Sequence, residues 1–202
     1  MTGGGIVSRD SSRPRLPSPG RLGLLDDRAA DWLDYLGWND DDAVPVLWAL
    51  SRAPDPDLAL GALVRLRESL VAAGDGAAAD GSGAGALDSA LLSDTRLRAR
   101  LFGLLGSSSA LGDHLVAEPT RWTLLRAELP SPQEVASAML GAVEAVPEEP
   151  VEGAPEPTQR DDLCAVGTYR AGITGGAAVK VLRTTYRDQV ALLAAHDVAA
   201  AV

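Results

Sequence analysis

Apolar residues recur along this chain at intervals of three and four, the spacing that lays them on one face of a helix. From Asp26 onward Ala29, Ala30, Leu33 and Leu36 follow that rule, with Gly37 as a stop. A second helix opens after Asp42, tolerates Pro45 in its first turn and carries Val44, Leu47, Trp48 and Leu50 up to Pro54. Asp55 or Asp57 caps a third, with Ala59, Leu63, Leu66 and Leu70 in one stripe. Periodicity resumes at Leu87, Leu91 and Leu92, and again after the N-cap Asp94 with Leu97, Leu101, Leu104 and Leu105, ending at Gly106. Ser107 or Ser108 caps a helix bearing Leu111, Leu115 and Val116, and a short helix holds Trp122 and Leu125. Ser131-Pro132-Gln133-Glu134 reads as a capping box leading into Val135, Met139 and Val143. The last helix, residues 176–202, sets Val179, Leu182, Tyr186, Val190 and Leu193 on one side, a stripe worth several kcal/mol when buried, part of which is expected to lack its partner in a fragment. No stretch alternates long enough to read as a strand.

The class is therefore all-α, an irregular multi-helix bundle of about eight helices. Residues 1–25, rich in Gly, Ser, Arg and Pro, read as a flexible tail, and 26–146 as a helical domain. Residues 74–85 are a Gly/Ala-rich loop with nothing bulky to pack, and 147–175 an acidic, Pro-rich linker. The 202 residues suffice for one domain.

Charge trims the list of partners. Lys and Arg total 18 against 28 Asp and Glu, a net charge of -10. Nucleic-acid binding relies on cations against phosphate, and anionic membranes repel such a chain, so neither is expected. No apolar run reaches bilayer length and the N-terminus lacks a signal-peptide pattern, which makes the cytoplasm the expected location. The single cysteine, Cys164, excludes a disulfide framework, and neighbouring carboxylates disfavour its thiolate.

Candidate chemistry is sparse. Asp113-His114 and His196-Asp197 are neighbours in helices, so each pair points about 100° apart and forms no dyad on one face. Gly172-Ile173-Thr174-Gly175-Gly176 followed by Lys180 lacks the Gly-Lys-Ser/Thr succession of a phosphate loop and reads as a hinge. Asp40, Asp41 and Asp42 read as capping and solubilising residues. No residue is therefore assigned to a catalytic, cofactor-binding or metal site; an enzyme built on His114 has little support.

Three segments carry a resemblance. The first is Arg15-Leu16-Pro17-Ser18-Pro19-Gly20-Arg21-Leu22-Gly23 with Leu47-Trp48-Ala49-Leu50-Ser51-Arg52-Ala53-Pro54-Asp55-Pro56-Asp57. The second, and most specific, runs from Leu101-Phe102-Gly103-Leu104-Leu105-Gly106 through Asp113-His114-Leu115-Val116 to Pro119 and Trp122. The third is Leu182-Arg183-Thr184-Thr185-Tyr186-Arg187, continuing to Asp197-Val198. In this order they resemble the N-terminal portion of the actinobacterial bifunctional glutamine synthetase adenylyltransferase/adenylyl-removing enzyme. The resemblance implies a long enzyme with two nucleotidyltransferase domains that use ATP and magnesium. One attaches AMP to glutamine synthetase and the other removes it, with nitrogen status reported by glutamine and a PII-type protein. The family's catalytic motifs, Glu-Leu-Asn-Tyr and Ser-Asp-x-Asp, are absent here. The final helix also departs from the family pattern: Ala194-Ala195-His196-Asp197-Val198 stands where Ala-Ala-Arg-Asp-Leu is usual, and Asp188 and Leu192 replace basic residues.

The expectation is an inactive helical part, truncated or incomplete, that leads toward a missing nucleotidyltransferase domain. Its partners would be those catalytic domains, glutamine synthetase and a PII-type protein. The alternative is a stand-alone acidic all-α interaction module.

Overall fold

The computed structural model describes residues 16–74, 81–148 and 168–200. The expectations placed on residues 1–15, 75–80 and 149–167, Cys164 among them, lie outside the described residues. The architecture is all-α. The helices are α1 (Ala29–Tyr35), α2 (Val44–Leu50), α3 (Pro56–Ala73), α4 (Ala84–Ser93), α5 (Thr95–Ser107), α6 (Ser109–Ala117), α7 (Pro132–Ala142) and α8 (Gly175–Ala200). Short 3-10 segments at Pro19–Leu22, Asp41–Ala43 and Pro119–Arg126 connect them.

The capping chemistry explains where several helices begin. Asp55 accepts from Leu58 N at 2.9 Å, Asp94 from Leu97 N at 2.9 Å and Ser108 from Leu111 N at 3.3 Å. Ser131 and Glu134 satisfy one another's backbone N–H in a full capping box, which also holds the Glu134 carboxyl below its ordinary pKa. Each cap supplies an acceptor to a first-turn donor that has none within the helix.

Helix α5 is the axis of the bundle. Its residues Leu97, Leu101, Phe102, Leu104 and Leu105 are all essentially buried, and it packs against α3 on one side and α8 on another. Two glycines permit that closeness. A Cβ on Gly106 would stand 2.9 Å from Asp55 O, and one on Gly103 would stand 2.9 Å from Val198 Cγ1. Helix α3 completes the core with Leu60, Leu63, Leu66 and Leu70. Trp122, fully buried, donates from Nε1 to Ser82 O at 2.7 Å.

Three expectations need correction. Order begins at least ten residues before Asp26: Pro17, Leu22 and Leu24 are buried, and the Asp57 carboxylate accepts from Leu25 N and Asp26 N at 2.8 and 3.1 Å. Within residues 74–85, Ser82 is pinned through its carbonyl to the Trp122 indole, and Ala84 already opens α4. The acidic linker is tied down at both described ends, where Val146–Pro147 pairs antiparallel with Tyr169–Arg170. Gly172 N and Ile173 N then donate to Val143 O at 2.9 and 3.0 Å.

Helix α8 leaves part of its apolar stripe uncovered. Its stripe Val179, Tyr186 and Leu193 is 48%, 61% and 46% exposed, with Leu182 and Val190 half-buried. The residues it buries are Asp188, Ala191, Leu192 and Ala195. Mostly short side chains bring its axis close to α5, and that approach outweighs the apolar bulk on the other face.

Candidate functional site

The inner face of α8 carries an enclosed polar cluster. His114, from α6, and Asp188, from α8, meet with Nε2 2.8 Å from Oδ1, and their side chains are only 3% and 9% exposed. An ionised carboxylate only accepts, so His114 Nε2 carries the proton in this contact. Arg121, from the 3-10 segment Pro119–Arg126, reaches the second oxygen of Asp188 at 3.3 Å and is 42% exposed. Two consecutive elements, α6 and the 3-10 segment, are thereby fixed to the distant α8 through one carboxylate.

A second clasp lies along α8. His196 Nε2 is 3.0 Å from Ala127 O, and its Nδ1 is 3.3 Å from Arg100 Nη2. A carbonyl can only accept and a guanidinium can only donate, so this geometry asks for a neutral ring with the proton on Nε2. Arg100, itself buried, also donates to Leu125 O and Ala127 O at 2.8 and 2.9 Å.

The neighbours considered in the sequence go separate ways. Asp113 faces outward and pairs with Arg65 at 2.7 Å, while His114 turns inward. Asp197 lines a surface groove with Leu129, Val190 and Leu193. Asp40 caps the 3-10 turn by accepting from Ala43 N at 3.2 Å, and Asp41 and Asp42 are exposed. Lys180 is exposed and Gly172 spends its amide on Val143 O and Glu144 O, so no phosphate cradle forms there. Among the described residues no group of three or more His, Cys, Asp or Glu could hold a metal ion, and no helix is long and apolar enough to cross a membrane.

A His–Asp contact is the arrangement that orients a general base in many enzymes. Here His114 is only 3% exposed, and the contact joins α6 to α8. Asp188 and Arg121 were missed as members of the cluster. The available signal was an acidic residue standing among Thr184, Ala191 and Ala195, at spacings of four, three and seven, on a face made of small residues.

No family model and no solved structure matches the chain. Curated proteins do. It is 50% identical over 198 residues to the bifunctional glutamine synthetase adenylyltransferase/adenylyl-removing enzyme of Nocardia farcinica, covering 98% of this chain and 18% of that protein. The like-named protein of Corynebacterium glutamicum is 43% identical over 190 residues (93% of this chain, 18% of the relative), and that of Mycobacterium tuberculosis 44% over 202 residues (98% and 17%). The chain is a homologue of one segment of that enzyme. It spans less than a fifth of the length of the bifunctional adenylyltransferase/adenylyl-removing relatives it matches. Identity reaches across nearly the whole chain, and so takes in α5, α6 and α8 together.

Proposed function

We propose that this chain is the N-terminal helical part of an enzyme that adenylylates and deadenylylates glutamine synthetase in nitrogen regulation. The observation that carries the reading is 43–50% identity, over 93–98% of the chain, to proteins bearing that name. In this reading the nucleotidyl chemistry, with its ATP and magnesium, belongs to catalytic domains beyond these residues. A PII-type protein signals to the whole enzyme in the cytoplasm.

The segment's own task is to brace those domains. Its outer α8 face supports this assignment. Val179, Tyr186 and Leu193 recur at intervals of seven, so they stand on one line along the helix, and Leu129, 52% exposed, shares a groove with Leu193. Exposed apolar patches of this kind mark interaction surfaces.

The purified chain alone is expected to neither transfer AMP to glutamine synthetase nor remove it. Magnesium-dependent turnover in a contaminant-free sample would overturn the assignment. A stand-alone interaction module is the second reading, since the same exposed stripe suits a separate partner. Genomic sequence past codon 202 separates the two: an open frame soon encoding Glu-Leu-Asn-Tyr and Ser-Asp-x-Asp supports the enzyme, and a stop supports the module.

A further inference from the structure

A cleft of about 220 Å³ opens between α2, α5 and the last turn of α8. Its chemistry differs from the rest of this acidic molecule. Two cations, Arg52 and Arg98, line it, and among the described residues no carboxylate does. Arg52 is exposed and makes no ion pair among the described residues. Arg98 is 7% exposed; its Nη atoms donate to Leu91 O, Leu92 O and Thr95 Oγ1 at 2.8–3.0 Å, and its Nε is buried with no hydrogen-bond partner. Arg98 also pairs with no carboxylate among the described residues, so its charge is balanced only by carbonyl and hydroxyl dipoles. The indole of Trp48, 41% exposed, and the ring of Phe102 supply flat apolar walls, while Ala49, Ala53, Ala99 and Gly103 leave the space between them.

We infer that this cleft binds a carboxylate joined to a flat apolar body, with the carboxylate at Arg52 and the body against Trp48. A guanidinium offers paired N–H donors that match a carboxylate, and an aromatic ring stacks favourably on an indole. Arg98 contributes a fixed positive field at the floor. The same chemistry is available from a free arylalkyl acid or from an acidic residue beside an aromatic one in a peptide.

The test is an amide and indole N–H NMR titration of the full chain with 3-phenylpropionate, its neutral analogue 3-phenylpropan-1-ol, and an acetylated Phe-Glu amide. The acid is expected to shift the Trp48 indole and the α5 amides saturably, with the alcohol bound at least fivefold more weakly. R52A, at an exposed position that leaves the fold intact, is expected to weaken the acid about fivefold and the alcohol hardly at all. A99L, which fills the cleft, is expected to remove binding of both. Tighter binding of the peptide assigns the site to a protein partner, and tighter binding of the free acid to a small molecule. Equal affinity for acid and alcohol, unchanged binding in R52A, shifts mapping elsewhere, or no shift at millimolar probe each overturn the inference.

Discussion

Asp188→Ala is the most informative single change to the bundle. The carboxylate holds His114 at 2.8 Å and Arg121 at 3.3 Å, and its removal affects the two partners differently. Arg121 is 42% exposed and can turn to water, so its loss is small. His114 is 3% exposed and keeps a buried N–H with no acceptor. Removing one member of a buried pair costs about 3–5 kcal/mol, and the partial exposure of Arg121 places this case near the lower end, about 3 kcal/mol. Against a typical domain stability of about 5–15 kcal/mol that is a large fraction. Asp188→Asn, whose amide oxygen still accepts, should lose roughly half as much. Urea unfolding followed by circular dichroism measures both, and the cycle with His114→Ala should show a coupling of about 2 kcal/mol. Because Asp188 is the polar anchor of α8, hydrogen exchange should accelerate first along that helix. A loss below about 0.5 kcal/mol for Asp188→Ala, or additive behaviour in the cycle, would refute the anchoring role.

Three further outcomes follow from the same geometry. Gly106→Ala should destabilise by about 1–2 kcal/mol, because its Cβ meets the Asp55 carbonyl at 2.9 Å and backbone cannot swing away; Gly141→Ala, with open space at its Cβ, should stabilise slightly in the same urea assay. The Arg28 side chain and backbone hydrogen bonds pull the Asp26 pKa from 3.8 to about 2. Its stabilising contribution is therefore full above pH 4 and disappears as pH falls through about 2, which a carboxyl-carbon NMR titration reads directly. Finally, ¹⁵N NMR of the imidazoles should show the His196 proton on Nε2, and a proton on Nδ1 would contradict its contacts with Arg100 and Ala127.

Helix positions were legible in the sequence because caps and spacing act locally. Asp55, Asp94, Ser108 and Ser131 each bond within three residues of themselves, so their role is written in adjacent letters. What escaped was long-range. Leu22 and Leu24 sit in a Pro- and Gly-rich stretch that looks like a tail, and only the Asp57 carboxylate, more than thirty residues on, shows why they stay. Ser82 is held through its carbonyl by an indole forty residues away. The His114–Asp188 contact spans seventy-four residues, and local spacing cannot reveal such a partner.

The outer face of α8 carries the argument further. Hydrophobic periodicity locates an apolar stripe but does not say which neighbour it meets. Helix α8 buries Asp188, Ala191, Leu192 and Ala195 and turns Val179, Tyr186 and Leu193 outward. Short residues on the inner face allow the close approach also seen at Gly103, where a Cβ would press on Val198. A helix made for this bundle alone would place its bulk inward, where each large side chain gains about 1.5–3 kcal/mol on burial. Bulk on the outer face gains that energy only against a second surface. The 26-residue helix thus seats Leu192, two alanines and the Asp188 anchor against the bundle, while its bulkier stripe gains burial energy only if a second surface covers it.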